Sequence, residues 1–412
     1  MAIFKPFRAY RPHKQFSKSV ASRPYDVLNS SEAKLEAQDN PHSFLHVIKP
    51  EIGLPDDVDP YSSEVYEKGA SVFEQMKSDK IFFQDPEPYY YLYRLTMNER
   101  TQTGVVGCCH YEEYYSGKIK KHELTRTAKE NDRVQHVDSL NANAEPVFFS
   151  YRSNEEIDQF LEEILLETPE YNFVADDEIK HELWVVKDPD QISTLEELFK
   201  KIPTLYVADG HHRTAAAARV GQNRKMNNLS HTGAEEYNLF MAVLFSDQEL
   251  KIYDYNRVVM DLNGISDDEF LEKLKEKFVF NKSSSEPLRP LAKGDFSVYL
   301  NHTWHSFSFN PEESLSDPIA NLDVSKLSDF LLEPVLNIVD QRNDHRIDFV
   351  GGIRGLEELE KRVDSGEMAV AFALYPVTME ELLSVADAGE IMPPKSTWFE
   401  PKLRSGLFVH EL

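Results

Sequence analysis

The stretch Thr204-Leu-Tyr-Val-Ala-Asp209-Gly210-His211-His212-Arg213-Thr-Ala-Ala-Ala-Ala218 decides how this chain is read. Thr204 to Ala208 has the β-branched and aromatic content of a strand, whereas the alanine-rich run from His211 to Val220 favours a helix. Gly210 between them supplies the sharp turn. Such a junction leaves backbone N–H groups free at the helix start, beside the positive end of the helix dipole. Glycine lets a ligand approach that backbone closely, and phosphate is its natural occupant. Arg213 adds a fixed cation. Asp209 can hold a magnesium ion or orient a hydroxyl, and His211 and His212 can donate to phosphate or move protons. The plainer alternative makes Asp209 an N-cap and the histidines space-fillers, but four polar groups around one strand end fit a site better. Adjacent helical histidines point in different directions, which disfavours a dinuclear metal site on His211 and His212.

Working outward, strands and helices mostly alternate. Strands are expected at Tyr89–Thr96, Gly104–Tyr111, Pro146–Tyr151, Glu182–Lys187, Asn238–Phe245, Lys251–Tyr255, Phe296–Leu300, Trp304–Phe309 and Met368–Tyr375. Helices are expected at Tyr61–Met76, Lys120–His136, Glu155–Leu166, Thr194–Ile202, Asp267–Phe278, Leu327–Val339, Leu356–Val363 and Met379–Asp387. This alternation indicates a mixed α/β (or α+β) fold. Residues 1–60 are Pro-rich and read as irregular. The natural divisions are an N-terminal α/β region over 1–120, a core carrying the box over 121–280, and a C-terminal α/β region over 281–412. The Ser283–Ser285 and Pro287–Pro290 stretch is the expected boundary loop.

A second constellation is His122-Glu123-Leu-Thr125-Arg126-Thr-Ala-Lys129-Glu130-Asn-Asp132-Arg133-Val-Gln-His136. Arg126 stands where a zinc protease helix would carry its second histidine, so that chemistry is absent. Either this is a solvated helix laced by pairs such as Asp132–His136, or Glu123 is a general base with Thr125, Arg126 or Arg133 contacting phosphate. Near the C-terminus, Gly389-Glu-Ile-Met-Pro-Pro394-Lys395-Ser396-Thr397 approaches a phosphate loop. Pro394, however, replaces its second glycine and lacks an N–H to aim at phosphate. Lys395, Ser396, Thr397, Lys402 and Arg404 remain a cationic, hydroxyl-rich segment that either binds an anion or pairs with acidic protein surface. Asn256 and Arg257 after an apolar strand, and Arg354 in Gly351-Gly352-Ile-Arg354-Gly355, are further candidate substrate or anion contacts.

The chain has 412 residues, 41% hydrophobic and 28% charged, which provides ample core and argues against disorder. Its 45 Lys and Arg against 71 Asp and Glu leave a net charge of −26, which disfavours nucleic acid as a partner. Cys108 and Cys109 are adjacent in an apolar run and point to opposite faces of a strand, so no mutual disulfide is expected. No signal-peptide core opens the sequence, and the longest apolar stretch, Met368–Val377, is about half a membrane span. A cytoplasmic protein without membrane partners is expected; the sequence sets no oligomeric state, and homo-oligomerisation stays open.

Six segments carry a resemblance: Arg23-Pro-Tyr-Asp-Val, Asn40-Pro-His-Ser-Phe-Leu-His, His122-Glu-Leu-Thr, Ala208-Asp-Gly-His-His-Arg, Asp254-Tyr-Asn-Arg-Val-Val and Met392-Pro-Pro-Lys-Ser-Thr-Trp-Phe. Together they resemble, nearly end to end, a bacterial and archaeal family long labelled a domain of unknown function. Through the Asp-Gly-His-His-Arg box the family looks related to the ParB/sulfiredoxin-like fold, which includes the free serine kinases. The resemblance implies a ParB/sulfiredoxin-like nucleotide-binding core with N- and C-terminal α/β elaborations. It further implies transfer of a phosphoryl group from ADP or ATP, with magnesium, to a small molecule such as free L-serine. Carried over residue by residue, Asp209, Gly210, His211, His212 and Arg213 match the box, and Glu123 is the candidate catalytic glutamate. Asp209 and His212 then join Glu123 in catalysis, Gly210 to Arg213 with Thr125 and Arg126 hold nucleotide phosphates, and Asp209 is the magnesium ligand. The length of this chain, its Pro-rich N-terminus and the segment beyond Phe280 exceed what a minimal serine kinase explains. The alternatives are a ParB-like nucleotide switch without turnover and a metal-dependent phosphohydrolase using His211 and His212.

Overall fold

The computed structural model describes residues 2–310 and 317–412. It is a mixed α/β protein that divides into two compact units, residues 1–250 with 401–412 and residues 251–400. Residue 120 ends a short strand within the first unit, and residue 280 lies inside a strand of the second.

The first unit is built on a nine-stranded mixed sheet. Its strands are β1 (Phe4–Lys5), β2 (Tyr90–Met97), β3 (Arg100–His110), β4 (Ile119–Lys120), β5 (Val147–Tyr151), β6 (Tyr171–Val174), β7 (Lys180–Val186), β8 (Leu205–Asp209) and β9 (Leu239–Ser246). They run in the order β4-β8-β5-β9-β3-β2-β7-β6, with β1 added on β3. β8 is parallel to β4 and antiparallel to β5, and β5 is parallel to β9. Every residue of β5 is buried, as expected of a central strand covered on both faces. Cys108 and Cys109 on β3 are buried free thiols, with Phe4 and Lys5 of β1 opposite them.

The longer helices of this unit are α1 (Ser63–Ser78), α2 (Thr127–Leu140), α3 (Glu155–Ile164), α4 (Pro189–Lys200) and α5 (His211–Asn227). Asn154 and Asp188 cap α3 and α4 through their side chains. Small side chains let α5 sit close to its neighbours. Ala216 and Val220 pack on Val134 of α2, and Gly221 leaves no room for a Cβ against Tyr111 and the Tyr237 carbonyl. Arg219–Glu130 and Arg224–Asp138 pairs at 2.9 and 3.1 Å tie α5 to α2 along the surface.

Three sequence readings need correction here. The helix expected from Lys120 begins only at Thr127, because Ile119–Lys120 pairs with β8 and holds the chain extended. Its Asp132–His136 face is not solvated: Asp132 accepts a hydrogen bond from Tyr66, and His136 Nε2 lies 3.0 Å from the Val47 carbonyl. The Pro-rich N-terminus is also more regular than expected, with short helices at Ser30–Ala37 and Leu45–Ile48, the latter packed on α1 through Val47, Ile48 and Phe73.

The second unit carries a six-stranded antiparallel sheet of β10 (Tyr255–Val259), β11 (Val279–Ser284), β12 (Asp295–Leu300), β13 (Thr303–Ser308), β14 (Ile347–Gly351) and β15 (Val370–Leu374). Their order is β11-β13-β12-β15-β10-β14, with helices α6 (Asp267–Lys277), α7 (Glu357–Asp364) and α8 (Met379–Asp387). β14 was not evident from sequence. The helix expected over Leu327–Val339 is instead a short helix, Asp323–Leu327, that widens into a single π turn at Ser328–Leu332.

Candidate active site

The decisive stretch folds as its sequence suggests. β8 ends at Asp209, Gly210 takes the left-handed conformation at φ 84°, and α5 starts at His211. Pairing of β8 with β5 shifts register between Val207 and Asp209. Such an irregularity re-aims the side chain at a strand end. Gly210 offers no side-chain cap, so the first-turn N–H groups of α5 keep their affinity for an external acceptor.

Four box side chains then diverge. Asp209 Oδ2 lies 3.3 Å from Lys402 Nζ and 3.6 Å from Arg213 Nη2. Burial alone would raise the Asp209 pKa, but Lys402 and Arg213 outweigh it and hold the carboxyl well below its usual range. Arg213 is buried, donates from Nη1 to the Pro146 carbonyl at 2.9 Å, and faces Asp26 at 3.6 Å as well as Asp209. Burial would favour a neutral guanidine; Asp26, Glu145 and Asp209 reverse that and keep the charge.

The two histidines take different roles. His211 is buried edge-to-face against His122, with ring centroids 4.5 Å apart, and its Nδ1 lies 3.8 Å from Glu123 Oε2. Burial and the neighbouring imidazole push its pKa well down, so it is neutral at physiological pH. His212 Nε2 accepts the backbone N–H of Arg126 at 3.0 Å. The neutral ring therefore carries its proton on Nδ1, available for donation. Burial lowers its pKa also.

Two buried nitrogens of the box, His211 Nε2 and Arg213 Nε, have no hydrogen-bond partner among the described residues. Buried polar atoms in native proteins are nearly always satisfied, so such orphans flag places where water or a ligand completes the site. Behind Arg213 lies a small cavity lined by Arg133, His136, Asn143 and Glu145, with Phe240 and Met241 among its apolar walls. Glu145 links this cavity to the N- and C-terminal segments, accepting from Tyr25 N at 3.1 Å and from Ser405 Oγ at 3.3 Å. Among the described residues no group of three or more His, Cys, Asp or Glu side chains converges as metal ligands.

A model of the family described as "Protein of unknown function (DUF1015)" matches residues 4–325. The chain belongs to this family. Within the DUF1015 match lie Asp26, Glu123, Glu145 and the whole box, while Lys402 lies beyond it. No curated protein matches the sequence. Among solved structures, the chain is 13% identical to a free serine kinase in complex with AMP, covering 72% of this chain and 90% of that one, with a TM-score of 0.34. A conserved hypothetical protein from Pyrococcus furiosus is 15% identical over 74% and 94% of the two chains, with a TM-score of 0.33. SbnI from Staphylococcus aureus, with a C-terminal truncation, is 9% identical over 73% and 85%, with a TM-score of 0.37.

The remaining sequence candidates of this DUF1015 member separate. Glu123 is at the box. Thr125 turns its hydroxyl to Glu130 at 2.8 Å, and the exposed Arg126 meets His212 through its backbone. Arg404 is buried elsewhere in the first unit, donating to Asp177 and, at 3.3 Å, to His181 Nε2. Asn256, Arg257, Arg354 and Lys395 belong to the second unit. There Asn256 donates to Asp254 at 2.7 Å and accepts from the Leu374 N–H at 3.1 Å. Arg257 donates to the Tyr255 and Pro394 carbonyls, and burial lowers its pKa to about 10. Arg354 is exposed, and Lys395 lies over the Tyr255 ring at 5.6 Å. Asp26 and Lys402 meet the box side chains; Asp26 was not read as a site residue, and Lys402 was read only within a cationic run that binds an anion or pairs with acidic protein surface. Their only sequence signals were membership of the Arg23–Val27 segment and of the cationic C-terminal run.

Proposed function

We propose that this chain is a nucleotide-dependent phosphotransferase acting on a small hydroxyl-bearing acceptor, with free L-serine as the acceptor implied by the sequence resemblance and ADP or ATP as donor. The observation that carries this reading is the orphaned buried Nε–H of the charged Arg213, which lies beside an uncapped helix start. Anionic oxygens are the partners that such donors and N–H groups suit best.

Phosphoryl transfer demands alignment and charge stabilisation more than covalent help. In this reading the first-turn N–H groups of α5, the His212 Nδ1–H and Arg213 hold phosphate oxygens. Glu123, with its side chain 44% exposed, is accessible to an acceptor hydroxyl and takes its proton. Neutral His211 lies between Glu123 and His122 and adds no charge to oppose that proton transfer. Asp209, kept ionised by Lys402 and Arg213, orients the acceptor. Magnesium suits the site as a companion of the nucleotide, since it is bound through one or two carboxylates plus phosphates rather than by a full protein cage. Asp209 would hold it, and the ion would neutralise charge between phosphates.

Calorimetric titration with ADP, ATP and adenosine tests the reading. ADP or ATP should bind and adenosine should bind far more weakly, because the phosphates carry the recognition. Equal affinity for adenosine, or no binding of any of the three, would overturn it.

A further inference from the structure

The segment Arg23-Pro24-Tyr25-Asp26-Val27 stands out in the sequence, and phosphate binding alone makes no use of it. Buried groups fix its backbone. The Tyr25 N–H donates to Glu145 at 3.1 Å, the Tyr25 ring lies 4.0 Å from the Arg133 guanidinium, and Ser22 pairs with Ser405. Asp26 is thereby held beside the box with its side chain 37% exposed.

Its described ion pair, to Arg213 Nη2, is 3.6 Å long, beyond hydrogen-bond length, so the carboxylate keeps oxygen lone pairs for another donor. Asp209 approaches the same nitrogen, also at 3.6 Å. The two carboxylates therefore flank one edge of Arg213, within the span of a small molecule. An exposed carboxylate here repels a phosphate unless the second ligand brings positive charge to it.

We propose that Asp26 binds the α-ammonium group of the acceptor, which makes the acceptor a hydroxy amino acid rather than a hydroxy acid or simple alcohol. The ammonium sits at Asp26 while the hydroxyl points toward Asp209. Asp26 is then the specificity-determining residue of the site. The inference rests on the phosphotransfer reading of the box, and the experiment separates the two.

The full chain is assayed with nucleotide and magnesium on L-serine, L-threonine and L-homoserine against 3-hydroxypropionate, which lacks the ammonium group. The wild type should prefer an amino acid. Asp26→Asn should lower the kcat/KM ratio of that amino acid over 3-hydroxypropionate by about 10- to 100-fold, the usual value of a hydrogen bond to a charged group. Asp26→Glu should retain part of the preference. A ratio unmoved by Asp26→Asn would overturn the inference while leaving phosphotransfer intact. If nothing is phosphorylated, calorimetry of the same compounds in the presence of ADP decides. Amino-acid binding lost in Asp26→Asn sustains the Asp26 site and sinks the phosphotransfer reading, whereas no amino-acid binding overturns the Asp26 site too.

Discussion

Lys402 Nζ lies 3.3 Å from Asp209 Oδ2, so the C-terminal segment of the first unit neutralises the carboxylate at the end of β8. Both side chains are largely shielded, 15% and 27% exposed, which places the pair between surface and buried ion pairs in worth. Lys402→Met should destabilise the protein by about 1–3 kcal/mol near neutral pH. Asp209 is more acidic folded than unfolded. Its contribution is therefore complete above the unfolded carboxylate value of about 3.9 and is lost as pH falls through the lower folded value. Denaturant unfolding at neutral pH checks the magnitude; an unchanged midpoint would mean that Lys402 is not a structural partner of Asp209.

The buried histidines predict an acid limb of stability that the carboxylates do not. Burial pushes His122 and His136 down to about 4 and His181 to about 3. Each binds fewer protons folded than unfolded. Stability is thus complete above the unfolded value of about 6.5 and falls as pH drops toward the folded values, by about 1.4 kcal/mol per pH unit for each histidine. Thermal scans should show Tm declining steadily from about pH 6.5 to about pH 4.5. A flat Tm across that window would contradict the burial of neutral imidazoles.

Gly210 is the turn residue on which the site depends. At φ 84° an alanine is strained, and its Cβ would lie 3.1 Å from Arg213 Nε, itself one of the orphaned nitrogens. Gly210→Ala should cost about 1–2 kcal/mol of stability through backbone strain alone. It should also weaken nucleotide binding by displacing Arg213, which titration calorimetry on the folded variant would detect.

Much of this was legible locally, for identifiable reasons. Gly210 between an apolar strand and the alanine-rich run Ala215–Ala218 marks a strand-to-helix turn, and α8 (Met379–Asp387) has the bounds its pattern suggested, with Thr378 and Glu381 forming a capping box. The family resemblance was legible because its motifs are short and specific. What stayed hidden was long-range. Asp26 and Lys402 reach the box from far along the chain, and nothing local announces either approach. The two-residue strand Phe4–Lys5 pairs with Cys108 and Cys109, where β3 runs past its pairing with β2, a long-range contact that left the N-terminus reading as irregular. Arg404 looked like an anion contact beside Lys402, yet the fold gives it Asp177 and His181 instead.

In the proposed phosphotransfer, Glu123 takes the proton of the acceptor hydroxyl. A positioned general base contributes about 10²- to 10⁴-fold in rate. Glu123→Gln should therefore cut turnover by that factor with nucleotide affinity close to normal, measured as kcat beside a nucleotide titration. Unchanged turnover would remove Glu123 from the mechanism.

The most direct test of the phosphotransfer account is phosphorus NMR of the purified chain with magnesium, ADP or ATP, and free L-serine. The account predicts a new O-phosphoserine resonance that is lost in Asp209→Ala. Nucleotide that stays bound without any new phosphorylated product, across the hydroxy amino acids, would contradict it.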